Sequence, residues 1–246
     1  MTHDQQVILV TGASRGIGRG IAVAAGRAGY AVGVNYLRSS QAAETVVEEI
    51  QANGGRAIAL QGDIADATSA VELVTKTCKA FGPLTALVNN AGDVPTRQPF
   101  DEMPLRDIER VMAVNLMGTV YCMRAAIDVF KTNGGGSIVN VGSEAGRFGG
   151  NRISAYAASK AAVGMLTVGT ARELAGYDIR VNAVSPGTIL TDALIAEGEE
   201  TMENLRRTLP MGRIGAPSEV ADTVLWLLSP AASYVSGSVV SVSGAR

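Results

Sequence analysis

Short apolar runs alternate with longer stretches of helical period along the whole chain. Residues 7–10 are all Val, Ile or Leu, whereas the apolar positions of residues 43–50 recur at the i, i+3, i+4, i+7 spacing of one helix face. Continuous apolar runs are typical of strands buried on both faces, as in a parallel sheet covered by helices. The pattern predicts an α/β fold with seven strands at residues 7–10, 31–35, 57–60, 86–89, 137–141, 179–183 and 239–242, and further helices near 17–28, 71–81, 105–131, 154–175 and 217–228.

Nothing along the chain marks a domain boundary. The 246 residues are 47% hydrophobic, enough for one large core, and no linker, low-complexity segment or solenoid repeat interrupts them. We therefore predict a single domain over residues 1–246. Residues 188–210 are the least regular part, with scattered charges and Gly198, and loops this long in compact domains are usually functional or disordered. We predict that they form a mobile lid over the substrate.

The charged residues argue against several classes of partner. The 21 basic and 23 acidic side chains nearly cancel and are interspersed, so no surface is predicted to bind nucleic acid or anionic lipid. Residues 1–6 lack the basic start of a secretory signal, and no apolar run reaches the roughly 18 residues that span a bilayer. We expect a cytoplasmic protein with no membrane or nucleic-acid partner.

Cysteine and histidine are too few for a disulfide scaffold or a zinc site. Cys78 and Cys122 are the only cysteines, and His3 is the only histidine. Both cysteines fall within predicted helices, Cys78 on an apolar face, so packing is their favoured role. We expect no metal site.

A glycine-rich turn at residues 11–18 joins the first predicted strand to the first helix. Glycines let the backbone approach a pyrophosphate, whose charge the N-terminus of the helix stabilises. The spacing is G-x-x-x-G-x-G rather than G-x-G-x-x-G, and tight packing of the strand against the helix is the alternative interpretation. The residues predicted to contact a dinucleotide here are Gly12, Ser14, Arg15, Gly16, Ile17 and Gly18.

The end of the second strand predicts which dinucleotide binds. An acidic residue there would bind the ribose 2′-OH of NAD and repel a 2′-phosphate. This strand instead ends at Asn35 and is followed by Arg38, with no carboxylate before Glu44. Because guanidinium groups pair well with phosphate, Arg15 and Arg38 favour NADP(H), with NAD(H) as the alternative. The alternative interpretation, that Arg38 is an ordinary solvated charge on the surface, remains open.

Tyr156 and Lys160 lie at i and i+4 of a predicted helix and therefore on the same face. Free tyrosine has a pKa of about 10, and a nearby cation lowers it, so Lys160 is expected to make the phenol usable in proton transfer. Ser143 follows a buried strand at the carboxyl edge of the sheet, where its hydroxyl is placed to hold a substrate oxygen. Taken alone, the pair is equally typical of a surface contact or a core tyrosine.

The motifs together resemble the short-chain dehydrogenase/reductase family over essentially the whole chain. The matching features, in order, are the turn at residues 11–18, the Asn-Asn-Ala-Gly run at 89–92, Asn115, Ser143, the Tyr-x-x-x-Lys of 156–160 and the Pro-Gly of 186–187. The resemblance implies a Rossmann-type, doubly wound parallel sheet of seven strands and a homotetramer. It also implies a catalytic tetrad of Asn115, Ser143, Tyr156 and Lys160.

The same resemblance implies roles for further residues. Asp63 would bind adenine, with Ile64 beside it, and Asn115 would hold a water that links Lys160 to solvent. Asp63 capping a turn and Asn115 capping a helix are the alternatives, and the Asn-Asn-Ala-Gly run is partly structural. The other expected cofactor contacts are Asn89, Ala91 and Gly92 around the adenosine, and Pro186, Gly187, Thr188, Ile189 and Thr191 around the nicotinamide.

Three positions depart from the usual family pattern. The C-terminal Asp-x-x-Gly-Gly is replaced by residues 241–245, Ser-Val-Ser-Gly-Ala. Gly142 stands where serine is usual, and Asp93 stands where an aliphatic residue is typical. None of these belongs to the tetrad, so they bear on subfamily and subunit packing rather than on the reaction.

We expect NADPH-dependent reduction of a small-molecule carbonyl to a secondary alcohol, reversibly. The pattern looks like the 3-oxoacyl-carrier-protein reductase and glucose dehydrogenase branches, so a thioester, a small ketone and a sugar all remain open. An acidic carrier protein would need a basic docking face, and residues 131–134 and 175–178 offer one lysine and one aspartate. A regulator or structural subunit that binds NADP(H) without turnover is the alternative from another class.

Overall fold

A seven-stranded parallel sheet forms the middle of the molecule in the computed structural model. Its order is β3-β2-β1-β4-β5-β6-β7, and every pair of neighbours is parallel, as predicted. The strands are β1 (Val7–Val10), β2 (Ala31–Tyr36), β3 (Arg56–Gln61), β4 (Ala86–Asn89), β5 (Gly136–Val141), β6 (Ile179–Pro186) and β7 (Val239–Val242). The prediction of a doubly wound, Rossmann-type single domain is confirmed.

The structure describes residues 6–245, apart from the side chain of Ala193. The expectation about a secretory signal concerns residues 1–6, of which only residue 6 is described. His3 also lies outside the described residues. In the described part of the chain, no helix has both the length and the apolar composition needed to cross a membrane.

Helices cover the sheet on both faces. They are α1 (Gly16–Arg27), α2 (Ser40–Ala52), α3 (Ala67–Phe81), α4 (Leu105–Met112), α5 (Gly118–Thr132), α6 (Ala145–Phe148), α7 (Ser154–Leu174), α8 (Asp192–Ile195), α9 (Glu199–Thr208) and α10 (Pro217–Leu228). One apolar core includes α1, α2 and α10, and the other includes α3, α5 and α7. Both faces of β1, β2, β4, β5 and β6 are therefore buried, which explains their largely apolar sequences, whereas the edge strands β3 and β7 are partly exposed.

The strand order reverses between β1 and β4, which are neighbours in the sheet. The chain leaves β1 toward α1 on one face and leaves β4 toward the helices of the other face, so the two loops separate at the carboxyl edge. The Thr11 N–H donates to the Val88 carbonyl at 3.0 Å and continues the pairing past the end of β1. This crevice holds the candidate site.

The predicted helix at residues 105–131 is interrupted by one wide turn. Residues Ala113–Met117 form a π-helix between α4 and α5, and the Gly118 N–H donates to the Ala113 carbonyl, five residues back. Such π-turns occur often at functional sites. Asn115 lies within this one and is fully buried.

The segment predicted as an irregular lid contains two helices, α8 and α9. Helix α9 begins with Glu199 and Glu200 and ends with Arg206 and Arg207, which complements the helix dipole at both ends. Glu203 pairs with Arg206 at i+3 and with Arg207 at i+4. The helical order differs from the expectation, and mobility of the lid stays a prediction.

Candidate active site

A cleft of about 710 Å³ opens at the carboxyl edge of the sheet, beside the crossing of β1 and β4. Of the residues predicted for the site, the cleft is lined by Gly12, Ser14, Arg15, Gly16, Ile17, Gly18, Asn35, Arg38, Asp63, Ile64, Ala91, Gly92, Ser143, Tyr156, Lys160, Pro186, Gly187 and Thr191. Four predicted residues do not line it: Asn89, Asn115, Thr188 and Ile189. One space therefore connects the glycine turn to the Tyr-Lys helix.

The glycine turn is shaped by close contact with the loop after β4. Gly12 has a φ of +60°, and a Cβ built on it would lie 2.8 Å from the Ala91 Cα. Gly16 has a φ of +53° and begins α1, so the free N–H groups of that helix point into the turn. A side chain at position 12 would both strain the backbone and collide with Ala91, so the turn could not keep this close contact with the loop after β4.

Asn90, which the sequence analysis includes only as part of the Asn-Asn-Ala-Gly run, holds the glycine turn in place. Its Nδ2 donates to the carbonyls of Thr11 at 2.9 Å and Gly12 at 3.0 Å. In return, the Thr11 hydroxyl accepts hydrogen bonds from the N–H groups of Asn90 and Ala91, each at 3.0 Å. The Asn-Asn-Ala-Gly run was the available signal, and only its other three residues were named as contacts.

Asn35 is committed to other parts of the protein rather than presented to a ligand. It is 2% exposed, its Oδ1 accepts from the Gly12 N–H at 3.1 Å, and its Nδ2 donates to the carbonyls of Leu60 and Gly62. It lines the cleft as part of the wall. The polar groups that follow β2 and face the cleft belong to later residues, among them Ser39.

Two exposed arginines border the part of the cleft next to the end of β2. The Arg15 guanidinium donates to the Ser39 hydroxyl at 2.6 Å. Arg38 also lines the cleft, and neither arginine forms an ion pair with any residue in the range 6–245. Two cations without a carboxylate partner are suited to bind an additional anionic group.

Ser143, Tyr156 and Lys160 meet where β5 ends against α7. The Lys160 ammonium is 6% exposed, and it donates to the Val141 carbonyl at 2.8 Å. It lies 5.9 Å from the centre of the Tyr156 ring. No carboxylate in the described part of the chain pairs with it, so its charge faces the cleft rather than a counter-ion.

The pKa shifts of these groups differ from the sequence expectation. Burial raises the pKa of the Tyr156 phenol, and a hydrogen bond with the Ser143 side chain offsets only part of this. Burial also lowers the pKa of Lys160 to about 8. The pKa of Tyr156 is therefore raised and not lowered as expected, because burial of the phenol is the largest influence on it.

Asn115 binds the loop after β4 to the helix that carries the tyrosine. Its Oδ1 accepts the Asp93 N–H at 2.7 Å, and its Nδ2 donates to the Asp93 carbonyl and to the Ser159 hydroxyl, each at 3.0 Å. Ser159 in turn donates to the Tyr156 carbonyl at 2.7 Å. The side-chain amide is thus used within the protein, and the expected water contact of Asn115 stays a prediction.

The other three predicted residues outside the cleft lie behind its walls. The Asn89 Nδ2 donates to the Asn140 Oδ1 at 2.9 Å and joins β4 to β5. Ile189 pairs with Gly215 in an isolated parallel bridge, and the Gly215 N–H donates to the Thr188 carbonyl at 3.0 Å. These contacts fasten the start of the lid segment to the chain that leads into α10.

Glu144 is a buried carboxylate next to Ser143 that belongs to none of the sequence motifs. It is 5% exposed, and its Oε1 accepts the Ser241 hydroxyl at 2.7 Å. Its Oε2 is buried and has no hydrogen-bond partner among residues 6–245. Ser241 belongs to the segment that departs from the family pattern, and here it serves as the partner of this carboxylate.

Comparison with known proteins identifies relatives over nearly the full length. The family model described as enoyl-(acyl carrier protein) reductase matches residues 12–244. The oxidoreductase YgfF of Escherichia coli K12 is 42% identical, over 98% of this chain and 99% of that protein. An L-rhamnose 1-dehydrogenase (NAD(P)(+)) of Sphingomonas sp. SKA58 is 40% identical, over 98% and 96%. A 3-oxoacyl-[acyl-carrier-protein] reductase, FabG, of Staphylococcus aureus N315 is 39% identical, over 96% of each chain.

Solved structures agree with this result. A 7α-hydroxysteroid dehydrogenase, complexed with NADH and 7-oxo glycochenodeoxycholic acid, superposes with a TM-score of 0.92 at 36% identity, covering 98% of this chain and 94% of that one. A short-chain type dehydrogenase/reductase from Mycobacterium marinum superposes with a TM-score of 0.91 at 34% identity, covering 97% and 94%. The chain therefore belongs to the short-chain dehydrogenase/reductase family and is an NAD(P)-dependent oxidoreductase.

Proposed function

We propose that this enzyme uses NADPH to reduce a carbonyl to a secondary alcohol, reversibly. The observation that carries the proposal is the group formed by Ser143, Tyr156 and Lys160. The tyrosine and the serine are hydrogen-bonded, and the lysine lies one helical turn further along α7. All three line the same cleft as the glycine turn. Only a carbonyl or alcohol oxygen that reaches both hydroxyls uses this arrangement fully.

The residues of the cleft fit a dinucleotide, and they favour one with a 2′-phosphate. Helix α1 begins at Gly16 in the wall of the cleft, so its free N–H groups are placed to bind a pyrophosphate there. Arg15 and Arg38 are exposed cations on the ribose side, and no carboxylate ends β2. NAD(H) is the alternative, because one structural neighbour holds NADH and one relative is named for NAD(P)(+).

The side chains divide the remaining chemistry between them. When bound, NADPH supplies the hydride to the carbonyl carbon. Tyr156 donates its phenolic proton to the carbonyl oxygen, and its raised pKa keeps it protonated at neutral pH. Ser143 holds the same oxygen through its hydroxyl. Lys160, with a pKa of about 8, donates hydrogen bonds near the phenol and stabilises the negative charge that develops there.

The relatives suggest three substrate classes. A 3-oxoacyl thioester follows from the FabG relatives, a sugar from the rhamnose dehydrogenase, and another small carbonyl compound from the hydroxysteroid dehydrogenase. Docking of an acyl carrier protein has weak support, because an acidic carrier needs a basic face. The one lysine of the expected docking segments, Lys131, lies over the ring of Tyr177 at 4.1 Å, and the acidic Asp178 follows Tyr177 in the sequence. We therefore place a small carbonyl or a short thioester first.

We further propose that the protein is a homotetramer located in the cytoplasm. Large apolar side chains are exposed on two separate regions, Met165 on α7, and Trp226 on α10 with Tyr234 after it. Apolar surfaces of this kind are typical of subunit interfaces. Light scattering of the purified protein tests this part, and a monomer at micromolar concentration would contradict it.

A substrate panel tests the function. Acetoacetyl thioesters, small ketones and, in the oxidative direction, aldoses are assayed with NADPH or NADP and with NADH or NAD. We expect turnover in at least one class, with a higher kcat/KM for the phosphorylated cofactor. Faster turnover with NADH would overturn the cofactor preference. Tight NADPH binding without turnover on any substrate would instead support the regulator alternative.

A further inference from the structure

One arginine on α4 links two carboxylates that lie on different loops of the cleft. Arg110 Nη1 lies 3.4 Å from Asp63 Oδ2, and Arg110 Nε lies 3.7 Å from Asp93 Oδ2. Asp63 belongs to the loop after β3, Asp93 belongs to the loop after β4, and all three line the cleft. The exposed fractions are 40% for Arg110, 36% for Asp63 and 47% for Asp93, so the group forms an accessible wall rather than part of the core.

The carboxylate of Asp63 is oriented by two donors, one on each oxygen. Its Oδ1 accepts the Ala65 N–H at 2.9 Å, and its Oδ2 faces Arg110. An ionised carboxylate accepts about four hydrogen bonds, so both oxygens keep capacity for a donor that enters the cleft. Without Arg110, the backbone bond alone would leave the carboxylate free to turn about that contact.

Arg110 is itself held by Asp93, a residue that departs from the aliphatic one typical at this position. The backbone of Asp93 is fixed on both sides by the Asn115 amide, so its carboxylate starts from a well-defined place. An aliphatic side chain here would give Arg110 no second anchor. The guanidinium presents its donors in a rigid plane, which lets it contact both carboxylates at once.

We propose that Arg110 is a cofactor-positioning residue: held by Asp93, it orients the Asp63 carboxylate to accept a hydrogen bond from the amino group of an adenine in the cleft. The proposal rests on the proposed function, because it takes an adenine dinucleotide as the ligand. Half-exposed ion pairs contribute little to folding. The contribution of Arg110 is therefore expected in cofactor binding and not in the free energy of unfolding.

Binding titrations of two dinucleotides test the proposal. NADPH and its analogue with hypoxanthine in place of adenine, which lacks the amino donor, are titrated into wild type, Arg110→Gln, Arg110→Lys and Arg106→Gln. Arg106 is the matched control, because it lies on the same helix, is 85% exposed, pairs only with Asp107 within the described chain and does not line the cleft. Thermal unfolding of each variant is measured in parallel.

Arg110→Gln should raise the Kd of NADPH about five- to tenfold, because the Asp63 carboxylate remains but is less well oriented, so that only part of a hydrogen bond to a charged group is lost. The Kd of the hypoxanthine analogue should change less than about twofold by the same reasoning. Arg110→Lys should recover part of the affinity, Asp93→Asn should give a smaller loss in the same direction, and Arg106→Gln should match wild type for both ligands.

An equal loss for both dinucleotides, or no loss for NADPH, would overturn the positioning role. A fall in the unfolding temperature of Arg110→Gln that is absent in Arg106→Gln would identify a structural role instead. Selective weakening of NADPH combined with no turnover on any substrate would support the role of Arg110 and overturn only the proposed reaction. If wild type bound neither dinucleotide, both proposals would fail together.

Discussion

The two ends of the cleft hold their cations in opposite ways. At the catalytic end, Lys160 is 6% exposed and hydrogen-bonded to the Val141 carbonyl. At the other end, next to the end of β2 and called the ribose end below, Arg15 and Arg38 are exposed, and Arg15 contacts the Ser39 hydroxyl. Charges in the buried end act through a low dielectric, whereas salt and water screen those in the exposed end. The side chain proposed to act on the reaction is thus fixed, and those proposed to select the cofactor are solvated.

This difference predicts that the effects of substitutions decrease from the catalytic end to the ribose end. Tyr156→Phe removes the only proton donor proposed for the reaction, so kcat should fall about 10²- to 10⁴-fold. The Kd of NADPH should stay at its wild-type value, because the phenol ring remains. Steady-state kinetics and a binding titration check both. Wild-type turnover in this variant would remove Tyr156 from the mechanism.

Lys160→Met should abolish most activity yet make the fold more stable. The folded pKa of Lys160 is about 8 and the unfolded value is about 10.5, so the unfolded state binds more protons between these pH values. Wild-type stability is therefore lowest below pH 8 and rises toward pH 10.5. The variant has no buried charge at this position, but it leaves the Val141 carbonyl without the lysine donor. We expect its free energy of unfolding to be about 1–3 kcal/mol higher than that of wild type at pH 7.

Chemical denaturation of the two proteins at pH 7 and pH 10 measures this gain. The stability difference should shrink at the higher pH, because wild-type Lys160 is then largely neutral in the folded state. A difference that stays constant with pH would mean that packing, and not the buried charge, separates the two proteins.

Gly12→Ala should disturb the turn between the two ends. The new Cβ would meet the Ala91 Cα at 2.8 Å on a backbone with a φ of +60°. We expect a loss of about 1–3 kcal/mol in stability and at least about tenfold in NADPH affinity. Gly164→Ala in α7 is the matched control, since it has open space and should stabilise the helix by about 0.5–1 kcal/mol. Equal behaviour of the two variants would show that the turn is not tightly packed.

Arg38→Gln should give the smallest effect, at the exposed end. We expect the preference for NADPH over NADH, as the ratio of kcat/KM values, to fall about three- to tenfold, with little change for NADH. Added salt should reduce the wild-type preference in the same direction. A variant that keeps the full preference at low salt would assign 2′-phosphate recognition to Arg15 alone or reject it.

The hydrophobic pattern was sufficient to predict the strands of the sheet. It was not sufficient to predict which residues distant in sequence contact one another. The apolar runs predicted all seven strands, because the five inner strands are buried on both faces and the edge strands β3 and β7 are still mostly apolar in sequence. Helix α9 was missed although its acidic start and basic end stand in the sequence, because Met202 and Leu205 are its only apolar residues and two positions are too few to define an apolar face. The feature that indicates this helix is the placement of its charged residues, whereas the prediction used only the spacing of apolar residues.

Long-range partners explain the remaining errors. Glu144 depends on Ser241, 97 residues away, and no local pattern joins them. The cofactor contact of Asn35 stays a prediction, and the partners of its amide in the turn and at the end of β3 could not be inferred from the local sequence. The pKa of Tyr156 was judged from its lysine neighbour alone, since the extent of burial that reverses the shift is a property of the packed structure.

The Asn115 amide has a further consequence for the sheet itself. By accepting from the N–H and donating to the C=O of Asp93, it offers the chain the same pair of groups that a neighbouring strand would offer. It therefore adds one rung to the backbone ladder beyond the point where β4 ends at Asn89. Aspartate could supply only the acceptor and leucine neither, so an amide side chain at position 115 is required for both hydrogen bonds to Asp93.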